Sequence, residues 1–197
     1  MENYPKTVKL KDGTCAEIRP LVHEDISALV TFFRALPVDD RLFLREDVTK
    51  VEVISRWVSQ LDYDKVFPIV ATKDLAIIGD ATLHISQHGW HRHMAEIRCV
   101  VAREYQKKGL GTLLMHELVS QASQKGVDKI RAEMMDSQIA AQIAFRKLGF
   151  KKEAELKNFV LDMEGHSHNL VIMVNDVSEL WKKMEDLLID YDFSTEQ

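Results

Sequence analysis

The chain has 197 residues, 46% hydrophobic and 29% charged, with 26 Lys+Arg against 31 Asp+Glu and a formal net charge of −5. That length fits one domain with a sizeable core; the apolar content excludes a disordered chain, and 8 Gly with 4 Pro exclude collagen-like or low-complexity architectures. Residues 176–197 hold seven acids against Lys182 and Lys183, which accounts for the whole deficit, so residues 1–175 are neutral and lack the basic field that nucleic-acid binding needs.

No apolar run approaches the ~18–20 residues that span a bilayer. The start, MENYPKTVKLKDG, has no apolar core of a secretory signal. Two cysteines, Cys15 and Cys99, cannot be paired from sequence and do not resemble a disulfide framework. The expectation is a cytoplasmic protein, monomer or homodimer, with neither nucleic acid nor membrane as partner.

In chain order, Val8 and Leu10 precede a Lys11-Asp12-Gly13-Thr14 turn, and Cys15-Ala16-Glu17-Ile18-Arg19 returns to Pro20, which predicts a hairpin. Ile26, Leu29, Val30 and Phe33 follow helical spacing up to Pro37. Val51, Ile54, Trp57, Val58 and Leu61 predict a second helix, with an added turn over 41–46. The period then changes, and 66–72, 76–86 and 94–102 read as strands. A helix over 109–125 puts Leu110, Leu113, Leu114, Glu117, Leu118 and Gln121 on one side, and Gly126 stands where a helix-ending glycine belongs. Strand 128–135, helix 138–148 with a second stop at Gly149, and a hairpin of 150–163 with 169–174 follow. A last helix carries Val177, Leu180, Trp181, Met184, Leu187 and Leu188. The order predicts an α/β (α+β) fold: one domain over 1–175, a mixed central sheet flanked by helices, with an acidic helix and tail over 176–197 packed on it.

The chemistry concentrates between Glu96 and Thr112. A strand ends, a polar loop follows, and Gly109 and Gly111 stand where a helix begins. Amides at a helix start have no intrahelical acceptor and carry the positive end of the dipole, so they cradle anions; glycine lets a phosphate reach the backbone. Arg103, Lys107 and Lys108 add positive charge. A strand–Gly–helix turn alone also serves simple helix entry. A Walker A loop fails because the lysines precede the glycines, and a dinucleotide fingerprint fails because position 114 is Leu114.

Gln106-Lys107-Lys108-Gly109-Leu110-Gly111 resembles the Gln/Arg-x-x-Gly-x-Gly/Ala pyrophosphate loop of the GNAT N-acetyltransferase superfamily. The run from Ala141 to Phe150, ending Arg-Lys-Leu-Gly-Phe, is similar to that family's Ala-x-x-Leu-Tyr-x-x-Leu-Gly-Phe, and the opening Asp12-Gly13-Thr14 to Glu24-Asp25 is similar to its first strand and helix. The resemblance covers roughly residues 8–175. It implies acetyl-CoA as acyl donor, no metal, and direct transfer to a primary amine, with protein lysine first because Ala95-Glu96-Ile97 looks like the bacterial protein-lysine enzymes. Small amines and protein N-termini are alternatives, as is a non-catalytic acyl-CoA sensor.

By the same resemblance, Cys99, Val100 and Val101 pair with the pantetheine arm, while Gln106, Lys107, Lys108, Gly109, Leu110, Gly111 and Thr112 surround the pyrophosphate. Gln138, Ala141 and Phe145 lie along the cofactor. Glu96 matches the base of the protein-lysine enzymes, and Glu133 that of ribosomal-protein N-terminal acetyltransferases. Two departures stand out: the tyrosine proton donor falls at Phe145, which has no hydroxyl, and the helix-starting asparagine falls at Gln138. Water, Tyr105 or another hydroxyl is left to assist the departing thiolate.

Period-two alternation places Arg98 on the face of Glu96, as a salt-bridge partner or as a charge that keeps the carboxylate ionised. His84, His88, His91 and His93 crowd one hairpin, with His166 and His168 in another; without accompanying Cys or acids they read as solvated or as edging the acceptor groove rather than as metal ligands. Trp57, Trp90 and Trp181 read as packing residues.

Overall fold

The computed structural model describes residues 4–42 and 44–188. Eight strands form one sheet: β1 (Lys6–Lys9), β2 (Cys15–Pro20), β3 (Val66–Lys73), β4 (Ala76–Ile85), β5 (Met94–Val101), β6 (Lys129–Met135), β7 (Lys151–Leu161) and β8 (Ser167–Asp176), in the order β1-β2-β3-β4-β5-β6-β8-β7. Every neighbouring pair is antiparallel except β5 and β6. The β1–β2 hairpin closes at the predicted turn, where the Thr14 amide donates to Asp12 Oδ1 at 3.0 Å.

Helices cover both faces, so β3 is buried from Phe67 to Thr72 and reads as a continuous apolar run rather than an alternating one. On one face lie α1 (Ile26–Ala35), the short α2 (Val38–Arg41) and α3 (Val51–Ser59); Leu29, Phe33, Ile54 and Val58 pack there against Val70 and Ile77. On the other lie α4 (Leu110–Gln124), α5 (Ile139–Lys147) and α6 (Val177–Leu188), around Leu114, Leu118, Ile130, Met173 and Leu180. Fully burying one such leucine contributes roughly 1.5–3 kcal/mol.

Three expectations need adjustment. The extra turn sits at Val38–Arg41, before the predicted 41–46, because Pro37 supplies an extended residue from which a helix can start. Helix α4 is buried on more than its predicted side: Met115, Val119 and Ala122 are also in the core, because α4 packs against α6 as well as the sheet. Trp57 and Trp181 pack, the first edge-on to Phe33 and the second stacked on His116, but Trp90 is 89% exposed at the tip of the β4–β5 connection. Asp176 closes β8 and Val177 opens α6 with no linker, so the acidic helix continues directly from the sheet. The tail 189–197 and the side chain of Leu188 lie outside the described residues. Among the described residues no helix is long and apolar enough to cross a membrane.

Glu117, predicted on the apolar side of α4, is buried at 4% exposure. Lys6 Nζ donates to its two carboxylate oxygens at 3.0 and 2.8 Å, and the Tyr4 hydroxyl donates to Oε1. Burial, together with that carboxylate, pushes the Tyr4 phenol well above its ordinary value. The cluster ties the leading edge of the sheet to the helix behind it.

Candidate functional site

Strands β5 and β6 pair only over Met94–Lys129, Ala95–Ile130 and Glu96–Arg131. Beyond that point they part, and β5 from Ile97 onward has a ladder partner only in β4. Exposed strand amides and carbonyls of this kind accept an added extended segment. A cavity of about 410 Å³ runs through the splay. Cys99 and Val100, expected on the pantetheine arm, and Gln138, Ala141 and Phe145, expected along the cofactor, line it, and so does Glu133. Burial pushes the Cys99 thiol up to about 12, with Asp80 adding to the effect, so it is inert as a nucleophile at neutral pH.

At the far end of β5, the expected phosphate loop enters α4. Gly109 has φ 92°, a left-handed conformation that glycine adopts without steric cost. The Leu113 amide is bonded to the Gly109 carbonyl, so the amides of Leu110, Gly111 and Thr112 precede the helix's own ladder and are available to an anion. A Cβ added at Gly111 would meet only Val101 Cγ2, at 3.8 Å. Gln106 Nε2 donates to the Val101 carbonyl at 3.0 Å, bracing the loop on the strand. Two of the predicted positive charges are already engaged: Lys108 Nζ is 2.8 Å from Asp12, and Arg103 holds Asp40 through two 3.0 Å contacts.

Glu96 and Glu133 come together at the mouth of the splay, and a cation lies between them. Arg45 Nη2, from the connection between α2 and α3, is 2.7 Å from Glu96 Oε1 and 2.8 Å from Glu133 Oε2. Arg98 Nε donates to Glu96 Oε1 at 2.9 Å, confirming their shared face, and Arg131 reaches Glu96 at 3.2 Å and Glu133 at 3.4 Å. Burial works to raise the Glu96 carboxyl, but the charges of Arg98 and Arg45 and hydrogen bonds from Arg98 and Arg131 outweigh it and hold Glu96 below the usual carboxylate range. An open cavity of about 370 Å³ beside this cluster is lined by Glu96, Arg98, Arg131, His84 and His91. Two of the hairpin histidines, His84 and His91, therefore line this cavity. Burial and the charge of Arg98 push His84 down to about 4, keeping it neutral.

Tyr105 lines neither cavity and packs on the α4 side. Among the described residues no group of three His, Cys, Asp or Glu side chains is placed to hold a metal. Sequence reasoning missed Arg45, Arg131 and Asp80. Arg131 shares the alternation of Glu133 and was detectable by it, and Asp80 is a lone acid in an apolar strand. Arg45 gives no local signal, because its reach is set by the path of a loop.

Comparison with known proteins gives the family and supports the fold. The family model described as "Acetyltransferase (GNAT) family" matches residues 31–150. Acetyltransferase Pat of Mycolicibacterium smegmatis is 26% identical over 152 residues, 74% of this chain and 44% of that protein. The chain spans less than half the length of the curated relatives it matches. Among solved structures, Mycobacterium smegmatis RimJ in complex with CoA-disulfide superposes with a TM-score of 0.76 at 17% identity, covering 94% of each chain. The GNAT domain of S. lividans PAT gives 0.72 at 18% identity, covering 87% of this chain and 96% of that one. With a family model matching more than half its length and a splayed mixed sheet that leads into a glycine-started helix, the chain belongs to the GNAT acetyltransferase family.

Proposed function

We propose that this protein transfers the acetyl group of acetyl-CoA directly to a primary amine, with a protein lysine side chain as acceptor. One observation carries the reading: the Arg45 guanidinium held between Glu96 and Glu133 at the mouth of the splay. Two carboxylates there make a seat for a cation. A lysine amine has a pKa near ~10.4 and arrives as an ammonium, which fits that seat once Arg45 swings out.

The residues also fit the donor. The free edge of β5 at Cys99–Val101 suits the pantetheine arm, and the amides of Leu110, Gly111 and Thr112 suit the pyrophosphate. Acetyl-CoA supplies an activated acyl carbon. The protein orients that carbon along β5, seats the amine at Glu96 and Glu133, and narrows the path of water through an apolar-walled cavity. Arg98 and Arg131 stay paired with Glu96 when Arg45 leaves, and their charges keep that carboxylate ionised as a cation seat.

Release of CoA thiol measured over lysine peptides, peptides with a free N-terminus only, and polyamines tests the acceptor; lysine peptides are expected to turn over fastest. Acetylation confined to N-termini or polyamines would displace lysine, and thiol release with none of them would leave an acyl-CoA sensor. Donor binding is read separately. At a hundredfold excess over its Kd, acetyl-CoA adds about 2.7 kcal/mol of stability by mass action and raises Tm by several degrees. Gly111→Val has room in the fold but sets a side chain between ligand and backbone, so it should lose most of that shift while melting normally alone. An unchanged shift would move the phosphate elsewhere. Chelator treatment should leave acetyl transfer unaltered; loss restored by stoichiometric zinc would show a metal at work.

A further inference from the structure

Strand register gathers a row of polar side chains beside the seat. The β4–β5 pairing sets His84 opposite Glu96 and Thr82 opposite Arg98, and the β5–β6 pairing sets Glu96 opposite Arg131. Opposed residues share a face of the sheet, so His84, Glu96 and Arg131 stand abreast across three strands, with Arg98 two residues along β5 on the same face. The open cavity of about 370 Å³ lies against this row, and Ser86 and His91 complete its polar wall.

The charges there do not balance. Two carboxylates, Glu96 and Glu133, meet three guanidiniums, those of Arg45, Arg98 and Arg131. An ammonium that replaces Arg45 leaves the same count, so the cluster carries one positive charge in excess with or without the amine. Asp80, the acid on the same face of β4, lies opposite Val100, four residues or about 13 Å along the strand from His84, and lines the other cavity. It is too distant to pair with Arg131.

The excess charge also has donors to offer. A guanidinium carries five N–H groups. Arg98 donates to Glu96 through Nε, while Arg131 donates to Glu96 through Nη2 and turns Nε toward Glu133 at 3.4 Å. Among the described residues, Nη1 and Nη2 of Arg98 and Nη1 of Arg131 make no hydrogen bond. Both side chains line the cavity and are about two-fifths exposed, at 41% and 39%. The two terminal nitrogens of a guanidinium match the two oxygens of a carboxylate.

We propose that this cavity binds a carboxylate of the acceptor, the side chain of an Asp or Glu close to the modified lysine. The proposal rests on the transferase reading above and narrows its acceptor to lysines with an acidic neighbour. Arg98 and Arg131 would hold the carboxylate, and the Ser86 hydroxyl and a His91 ring nitrogen can donate to it. A carboxylate brings one negative charge and restores neutrality, whereas a phosphate brings about −1.5 to −2 and would repel Glu96. Seat and cavity share Glu96, Arg98 and Arg131, and successive Cα atoms of a peptide are about 3.8 Å apart. The acid therefore belongs within about two positions of the lysine in an extended segment. Its work is to bind and orient; it takes no proton and forms no bond to the acetyl group.

The test is the ratio of kcat/KM between two lysine peptides that differ only by Asp against Asn beside the lysine, measured with acetyl-CoA in each variant. Taking the ratio within a variant cancels any general loss from disturbing Glu96. Wild type should prefer the Asp peptide roughly five- to tenfold, as expected for a partly exposed charge-assisted contact, and the preference should shrink as salt is raised. Arg98→Gln and Arg131→Gln should each bring the ratio close to one, while Arg98→Lys, which keeps the charge, should retain part of it. Titration of the same peptides into each protein saturated with CoA gives the ratio as a Kd where turnover is too slow to read. Nα-acetyl-lysine against its methylamide asks whether the lysine's own carboxylate serves instead; a preference there, with none between the peptides, overturns the acidic neighbour. Equal use of the Asp and Asn peptides by wild type also overturns it and leaves the transferase reading standing, as does a preference that survives both Gln variants. A wild type that binds acetyl-CoA yet acetylates no amine overturns the transferase reading itself, and this acceptor with it.

Discussion

Glu96→Gln, nearly equal in volume to the native residue, is expected to lower kcat/KM for the amine ten- to a hundredfold at neutral pH, in the range of lost charge handling in a transfer site. Glu96 is the better buried of the two carboxylates, at 9% side-chain exposure against 15% for Glu133, and three guanidiniums converge on it. Removing its charge leaves Arg98 and Arg131 undercompensated at the mouth, where they repel an incoming ammonium. The loss should shrink as pH approaches ~10.4, because a neutral amine needs no seat. Acetyl-CoA should still raise Tm by its full amount, since the phosphate loop lies at the other end of β5. Glu133→Gln should cost less. If Glu133→Gln is the crippled variant while Glu96→Gln turns over normally, the seat is centred on β6 and the assignment of Glu96 is wrong.

Glu117→Ala is expected to be the most destabilising single change outside the apolar core. Truncation leaves the Lys6 ammonium without its bidentate partner and the half-buried Tyr4 hydroxyl without its acceptor. Removing one partner of a fully buried pair costs about 3–5 kcal/mol, and the 38% exposure of the Lys6 side chain reduces that to about 2–3. At roughly 2–4 °C per kcal/mol for a chain of this size, Tm should fall by about 5–10 °C. Glu117→Gln, which keeps an acceptor for Tyr4, should lose about half as much, and Tyr4→Phe about 1 kcal/mol. Equal melting of Glu117→Ala and wild type would mean that the cluster is no stronger than an exposed ion pair.

Much of the site follows from local pattern. The loop 106–112 is contiguous, and the conformation that suits it to an anion is a property of consecutive amides and of two glycines, so the sequence exposes it directly. The shared face of Glu96 and Arg98 follows from strand alternation alone, and they meet at 2.9 Å. The element order and nearly all element bounds follow from apolar period, although β3 shows itself only as a continuous apolar run and α4 buries more than one stripe. The buried state of Glu117 was half visible: its position on the apolar side was legible, but its partners come from the other end of the chain.

By itself, then, the sequence determined the order of strands and helices, the glycine-started helix after β5 and the family, all of which depend on residues within a few positions of one another. Only the tertiary structure decided where β5 and β6 part, that Asp80 stands opposite Val100, and that Arg45 lies between Glu96 and Glu133. The physical reason is that a charge's behaviour is set by what surrounds it in space. Glu96 and Asp80 are both acids on adjacent strands, yet three guanidiniums hold one low and an apolar cavity pushes the other up to about 7, and those neighbours are assembled by strand register and loop path rather than by spacing along the chain.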